Sequence, residues 1–412
     1  MTRISFSLLI TCFTTYLWGQ QMLPIQHDTT QLKGEIILTG GVFYQGNAIR
    51  NDFSNALLFG GHITDEMKDA SMKNAASRSR NRYGGNFSSQ LEYRNYDVNL
   101  FGKSEWGFLV QAGYETFIGT QYTKDAFSLI FKGNAHVDNN LANLSDIRFE
   151  QMTFQKIGFG IVDKKSRSSI AVNLINGQSF NKLNLENGEY RQSDNTDSIS
   201  LLLKGNYSAS TGNSFSNGLG VAFDAEFRLE IPWMKVKKAW IQLKAQNIGV
   251  VFFNKSSQTY AVDTMYRYSG FKMNQLLDGG VFGGGEFNLM DSLNINPTSG
   301  SQAVWLPGFI QLAKIVDRAN PAKLQSFFGL NVYTNITYLP QVFVGMHYQP
   351  IPAVAVGAQL SYGGFGELRG GFYADFKMKN AYIGIGTQDV YGAFAKNGLG
   401  QSIIGRLTWQ IN

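Results

Sequence analysis

From Val221 to Ile231 apolar and polar side chains alternate without a break. Val221, Phe223, Ala225, Phe227, Leu229 and Ile231 hold the odd positions; Asp224, Glu226, Arg228 and Glu230 hold the even ones after Ala222. In an extended chain successive side chains point to opposite faces, so this segment reads as a strand with one greasy face and one charged face. A helix repeats its faces every ~3.6 residues and cannot use such a pattern. The run is also as long as a tilted membrane strand, ~9–11 residues.

The period recurs along the chain. Ile241, Leu243 and Ala245 alternate with Gln242, Lys244 and Gln246, and Leu330, Val332 and Ile336 with Asn331, Tyr333 and Asn335. Val354, Val356, Ala358 and Leu360 alternate with Ala355, Gly357, Gln359 and Ser361, and Phe372, Ala374, Phe376 and Met378 with Tyr373, Asp375 and Lys377. The last run passes through Ile403, Gly405, Leu407, Trp409 and Ile411. Further strands are expected near 33–45, 82–97, 104–118, 127–134, 147–162, 168–178, 197–208, 303–315, 340–349 and 381–388.

A soluble sandwich alternates too, so other features must decide. The strands are numerous, they continue to the end of the chain, and Tyr, Trp and Phe cluster near their ends, as the two membrane interfaces favour. Only 16% of residues are charged, against ~25% in an ordinary soluble domain. Past the N-terminus no stretch approaches the ~18–20 consecutive apolar residues of a membrane helix. Lipid offers backbone N–H and C=O groups no partner, so an exported sheet in the membrane must close on itself. The expectation is an all-β fold: a transmembrane antiparallel β-barrel of about 14 strands, between 12 and 16, by the even-number habit of such barrels. It would span residues 20–412 as one unit, in contact with outer-membrane lipid.

Residues 1–19 read as a secretory signal peptide. Met1-Thr2-Arg3 is a short positive start, Ile4 to Trp18 is mostly apolar, and cleavage after Gly19 meets the small-residue requirement. The sole cysteine, Cys12, falls inside this segment, so the exported chain would carry no disulfide, Cys-ligated metal or Cys nucleophile.

Short connections at Asp163–Arg167, Pro232–Lys238, Gln349–Pro352 and Lys377–Asn380 are assigned to the periplasm. The longer ones at 254–302 (with Gly283, Gly284 and Gly285) and 388–401 are assigned to the outside. An even number of strands must separate the first two short turns. Three are visible there, so 179–203 is expected to hide a fourth through a hairpin at Asn187-Gly188.

Residues 47–80 break the strand pattern between strands one and two. Phe53 to Gly61 is an apolar, Gly-terminated run, and Thr64 can cap a short helix through about Ala76, with Asp65 and Glu66 in its first turn. This insertion is either a folded loop or a plug closing the pore, with Phe53, Leu57, Leu58, Phe59 and Met67 as its apolar contacts. The stripe Asp224, Glu226, Arg228 and Glu230 is either a wet barrel interior with compensating charges or part of a polar constriction.

Little in the chain points to catalysis. His27, His62, His136 and His347 are far apart and lack metal-type spacing. No nucleophile elbow, phosphate loop or HExxH is present, so no catalytic, cofactor-binding or metal-binding residue is assigned and the chain is not expected to be an enzyme. The formal charge of +6 is scattered; its densest group is Lys235, Lys237 and Lys238, which is no nucleic-acid footprint.

Several stretches carry a resemblance: NALLFGGHI at Asn55–Ile63 before a polar helix, NRYGG at Asn81–Gly85, LSYGGF at Leu360–Phe365 and KNGLG at Lys396–Gly400, with Tyr260, Asp263, Tyr266 and Gly270 between them. In this order they resemble a family of uncharacterised outer-membrane barrel proteins of Bacteroidota-type bacteria, similar in architecture to the long-chain fatty-acid transporter (FadL-like) barrels. Such barrels usually end on an aromatic residue; this chain ends Trp409-Gln410-Ile411-Asn412. The family brings no established catalytic residues. The resemblance implies a passive transporter or channel for a hydrophobic or amphiphilic small molecule. The alternative is a non-transporting structural or accessory barrel that docks a secretion or surface-assembly partner, with 254–302 as its docking surface.

Overall fold

The computed structural model describes residues 25–26, 32–137, 140–194, 198–212, 214–231, 239–268, 296–320, 322–335 and 337–411. Residues 1–19, expected as a signal peptide, 232–238, expected as a short connection, and 269–295 lie outside the described residues.

Fourteen strands form the barrel. They are β1 (Gly34–Gly46), β2 (Asn81–Asn95), β3 (Trp106–Tyr122), β4 (Ile147–Asp163) and β5 (Ser169–Gln192). Next come β6 (Gly218–Glu230), β7 (Trp240–Phe253), β8 (Phe309–Asp317), β9 (Leu324–Tyr333) and β10 (Leu339–Ile351). The ring ends with β11 (Val354–Gly364), β12 (Arg369–Lys377), β13 (Ala381–Thr387) and β14 (Gly400–Ile411). Each pairs antiparallel with the next, β1 and β2 at the single position Gly46↔Tyr83, and β14 returns to β1 from Gly34↔Ile411 to Gln45↔Gly400, which closes the ring.

The two faces of each strand part as their chemistry dictates. On β6, Leu219, Phe223 and Leu229 are exposed, whereas Ala222, Asp224 and Glu226 are buried. Outward residues of other strands include Ile157 (67% exposed), Leu174 (70%) and Val344 (56%). An apolar surface of this extent is untenable in water, and the closed ring satisfies its own backbone; the protein is a transmembrane barrel of the outer membrane.

Both ends of the ring follow from loop length. At one end lie Gly34, Ile411 and the short turns, here the turn face. There Asp163 caps the turn before β5, accepting from the Ser166 N–H at 2.5 Å. The opposite, loop face carries the insertions. Between β1 and β2 two helices replace the strand pattern, α1 (Asn51–Phe59) and α2 (Asp65–Ala75). The Thr64 hydroxyl accepts from the Met67 N–H at the start of α2.

Three expectations need correction. The segment 127–134 is not a strand: Lys124–Phe131 is a helix, α3. The Thr123 hydroxyl accepts the Ala126 N–H at 3.0 Å, Asp125 suits the positive helix end, and Phe127 and Phe131 meet one turn apart with centroids at 4.9 Å. Asn187-Gly188 is not a hairpin either. β5 runs through it to Gln192 with a bulge, because extension brings Leu185 and Tyr190 into the loop-face core. The strand at Ile199–Ala209 therefore stands outside the ring, pairing with the upper half of β5 and with Gln258–Tyr268. Only β5 and β6 are barrel strands between the first two short turns. Thirdly, 303–315 is not one strand. Gln302–Trp305 pairs with β7 alone, and Leu306-Pro307-Gly308 separates it from β8.

Candidate functional site

The turn-face half of the lumen is filled by charge. Glu226 accepts from the Arg228 Nε–H at 2.7 Å and from Gln242, and Arg94 reaches it at 3.4 Å. Arg94 also pairs with Glu92. Beside it Glu35 accepts from the Tyr96 hydroxyl at 2.7 Å and pairs with Arg167, whose guanidinium lies 4.2 Å from the Tyr96 ring centroid. Across the ring Arg318 pairs with Asp375, and Arg406 donates to the Ile25 carbonyl at 3.2 Å. Ile25 itself packs on Ala313, Phe327 and Phe343 inside the barrel. Gly357 leaves room for the Tyr373 ring, which a Cβ there would meet at 2.3 Å.

At mid-height a second network turns on Asn247. A bulge in β7 between Ala245 and Ile248 holds this residue at φ +56°. Its backbone N–H donates to Asp224 at 2.7 Å, its amide N–H to Glu115 at 2.6 Å, and its amide oxygen accepts from Lys156 at 2.8 Å. Lys156 also pairs with Asp224 at 2.7 Å. The space left beside Glu115, Lys156 and Lys244 is about 30 Å³, no more than a water or two.

Above the charges lies an aromatic layer of Phe43, Phe117, Phe309, Tyr333, Tyr338 and Phe365. Phe117 and Phe309 flank Tyr333 at centroid distances of 5.4 and 5.2 Å. Over this layer opens a cavity of about 390 Å³. Phe117, Met152, Phe180, Val304 and Leu306 give it an apolar wall, and Glu150 and Lys182 stand at its margin, 3.6 Å apart. It lies where the wall is interrupted at Leu306-Pro307-Gly308. A few hundred cubic ångströms lined by apolar groups suits a small apolar molecule.

Of the charged stripe, Asp224, Glu226 and Arg228 enter the lumen networks, while Glu230 is exposed at the turn-face end of β6. Of the apolar residues singled out at 47–80, Phe53 is buried, with ring centroids 5.6 Å from Phe127 and 5.0 Å from Phe131. Met67 packs against the same cluster. Leu57, Leu58 and Phe59 are exposed. The Asn51 amide ties α1 to the carbonyls of Gly392 and Ala395, beside the helix α4 (Val390–Phe394). The insertion thus packs at the loop face, among α3 and the upper part of β5, and not among the lumen charges.

The lumen partners Lys156, Arg94, Glu115 and Asn247, and the cavity residues Phe180 and Leu306, are not separable in the sequence from other strand positions. Only Pro307-Gly308 signals the break beside the cavity. Among the histidines, His62 and His136 are exposed, and His347 is buried with Nδ1 2.9 Å from the Tyr373 hydroxyl. No group of three or more His, Cys, Asp or Glu able to hold a metal occurs among the described residues.

No known family's sequence profile matches the chain, and no curated protein matches it either. Among solved structures it is similar to a mutant of the monoaromatic hydrocarbon channel TodX, with 8% identity, 93% of this chain and 91% of that one covered, and a TM-score of 0.42. It is also similar to the Pseudomonas putida toluene transporter TodX, with 8% identity, 91% and 88% covered and a TM-score of 0.32. The β-domain of the Bordetella autotransporter BrkA matches with 6% identity, 92% and 100% covered and a TM-score of 0.31. At such scores the likeness decides neither strand pairing nor ligand; the ring is defined by its own registers.

Proposed function

We propose that the barrel is a passive channel that takes a small hydrophobic or amphiphilic molecule from the loop face. The apolar cavity under Phe180 and Leu306 carries this reading. Its Glu150 and Lys182 margin would suit a polar head on such a molecule, and residues 47–80 would act as a cap beside its mouth. Passage straight down is opposed by the buried ion pairs below, since an apolar solute there would separate charges without replacing their partners.

A sideways exit fits the wall better. The strands β1 and β2 run side by side with a single paired position, Gly46↔Tyr83. Every other neighbouring pair in the ring is in register over six positions or more. Separating β1 from β2 therefore breaks the fewest ladder hydrogen bonds.

Uptake of the apolar fluorophore N-phenyl-1-naphthylamine into proteoliposomes tests the reading. Phe180→Asp and Leu306→Asp should each lower uptake at least fivefold in barrels that still show the folded band on unheated gels. Uptake equal to that of the unaltered protein would remove it.

The second reading, a barrel that docks a partner and transports nothing, is favoured by the exposed Leu57, Leu58 and Phe59 on α1 and by the filled lumen. Much of its docking surface at 254–302 lies outside the described residues. A stoichiometric partner co-purifying with the barrel, together with no fluorophore uptake, would decide for it.

A further inference from the structure

The outward positions of the barrel strands are apolar or neutral between the rims, with one exception among the described residues. Lys314 on β8 faces outward, in register with Ile241 of β7 on one side and Phe328 of β9 on the other. Both neighbours are exposed to the lipid. An ammonium in that belt is costly unless it reaches the interface, where the penalty fades.

Its side chain leans that way. Lys314 stands opposite Phe328 yet donates to the carbonyl and, at 3.2 Å, to the hydroxyl of Ser326, two residues nearer the turn face. Lys314 lies three positions before the strand end at Asp317, so it begins about 10 Å along the strand from the rim. Strand tilt reduces that to roughly 7–8 Å of depth, within the reach of a snorkelling lysine. Both of these oxygens are neutral, so the charge is solvated but not balanced by them. The Ser326 hydroxyl accepts from Lys314 and keeps its own proton to donate outward.

We propose that Lys314 and Ser326 form a binding site on the outer wall for the phosphate of an anionic phospholipid in the turn-side leaflet. Lys314 supplies the counter-charge, Ser326 a hydrogen bond, and Ile241, Phe328 and Leu324 the apolar flanks along which acyl chains lie. This goes beyond the transport reading and does not depend on it.

Native mass spectrometry of the delipidated barrel in non-ionic detergent, titrated with phosphatidylglycerol or phosphatidylcholine, tests the proposal. The unaltered protein should retain one phosphatidylglycerol at least fivefold more tightly than phosphatidylcholine. Lys314→Met should lose that preference, Lys314→Arg should keep it, and Ser326→Ala should weaken it. Lys377→Met, at the exposed turn rim, should leave it unchanged. The folded gel band of each variant is read in parallel, and removing a lone charge from a lipid-facing surface should not weaken it. Equal affinity for the two lipids, or a Lys314→Met barrel that still prefers phosphatidylglycerol, would overturn the proposal.

Discussion

Lys156 of β4 and Asp224 of β6 meet at 2.7 Å across the inner face of β5, linking two strands that do not pair. Only a lumen narrow enough for side chains to reach past an intervening strand allows this. Asn173 of β5 fits beneath them because Gly158 leaves room for its amide. Both partners are almost wholly buried, so removing one leaves the other charge unbalanced. Lys156→Met should cost about 3–5 kcal/mol of stability. The double replacement Lys156→Met with Asp224→Leu should recover most of that loss, since it leaves no orphan charge. Equilibrium unfolding in detergent checks both, and a double variant whose loss equals the sum of the two single losses would mean that the pair is not coupled.

Asn247 separates backbone strain from hydrogen bonding. Its φ of +56° suits Asn or Gly better than any other residue. Asn247→Gly keeps that conformation but loses the bonds to Glu115 and Lys156, and should cost about 1–3 kcal/mol. Asn247→Ala loses the same bonds and adds the left-handed penalty, about 1 kcal/mol more. An alanine variant no less stable than the glycine one would show that the bulge relaxes.

The alternation on β6 makes both the ring and its two faces legible in the sequence, because period two needs no knowledge of neighbours. What β6 cannot disclose is that Asp224 finds Lys156 or that Glu226 finds Arg94. Contacts across the lumen depend on stagger and tilt summed around the ring, which no local pattern encodes. The helix at α3 does carry a local signal, Thr123 with Asp125 before Phe127 and Phe131, but a short apolar run reads equally as strand or helix. Asn187-Gly188 has the composition of a tight turn, and the burial of Tyr190 overrides it. The cavity is hidden for a different reason: its wall comes from β3, β4, β5 and the break before β8, segments far apart in the chain.

The cap at the loop face rests on Phe53, held between Phe127 and Phe131. Phe53→Ala removes most of a fully buried ring and should cost about 3–5 kcal/mol if the site cannot collapse. Loosening is the more informative readout. Deleting residues 50–78 should raise fluorophore uptake in proteoliposomes if the insertion restrains access to the cavity. An unchanged barrel after the deletion would leave α1 and α2 as a folded loop with no gating role.

The seam between β1 and β2 can be locked covalently. The pair Gly46↔Tyr83 and the bond from the Tyr96 N–H to the Lys33 carbonyl define one register from end to end. That register sets Leu38 opposite Leu91, both on the outward face. Cysteines at directly opposed strand positions fall within the separation that a disulfide spans, and the sole native cysteine, Cys12, is replaced by serine in every variant. Oxidised Leu38→Cys with Leu91→Cys should take up N-phenyl-1-naphthylamine at least fivefold more slowly than its reduced form. The matched control is Val356→Cys with Ala374→Cys, opposed across the fully paired seam of β11 and β12, where oxidation should change nothing. Full uptake by the oxidised Leu38→Cys with Leu91→Cys barrel would place the exit elsewhere in the wall or down the lumen. Slowing in both barrels alike would mean that transport needs the whole ring to breathe.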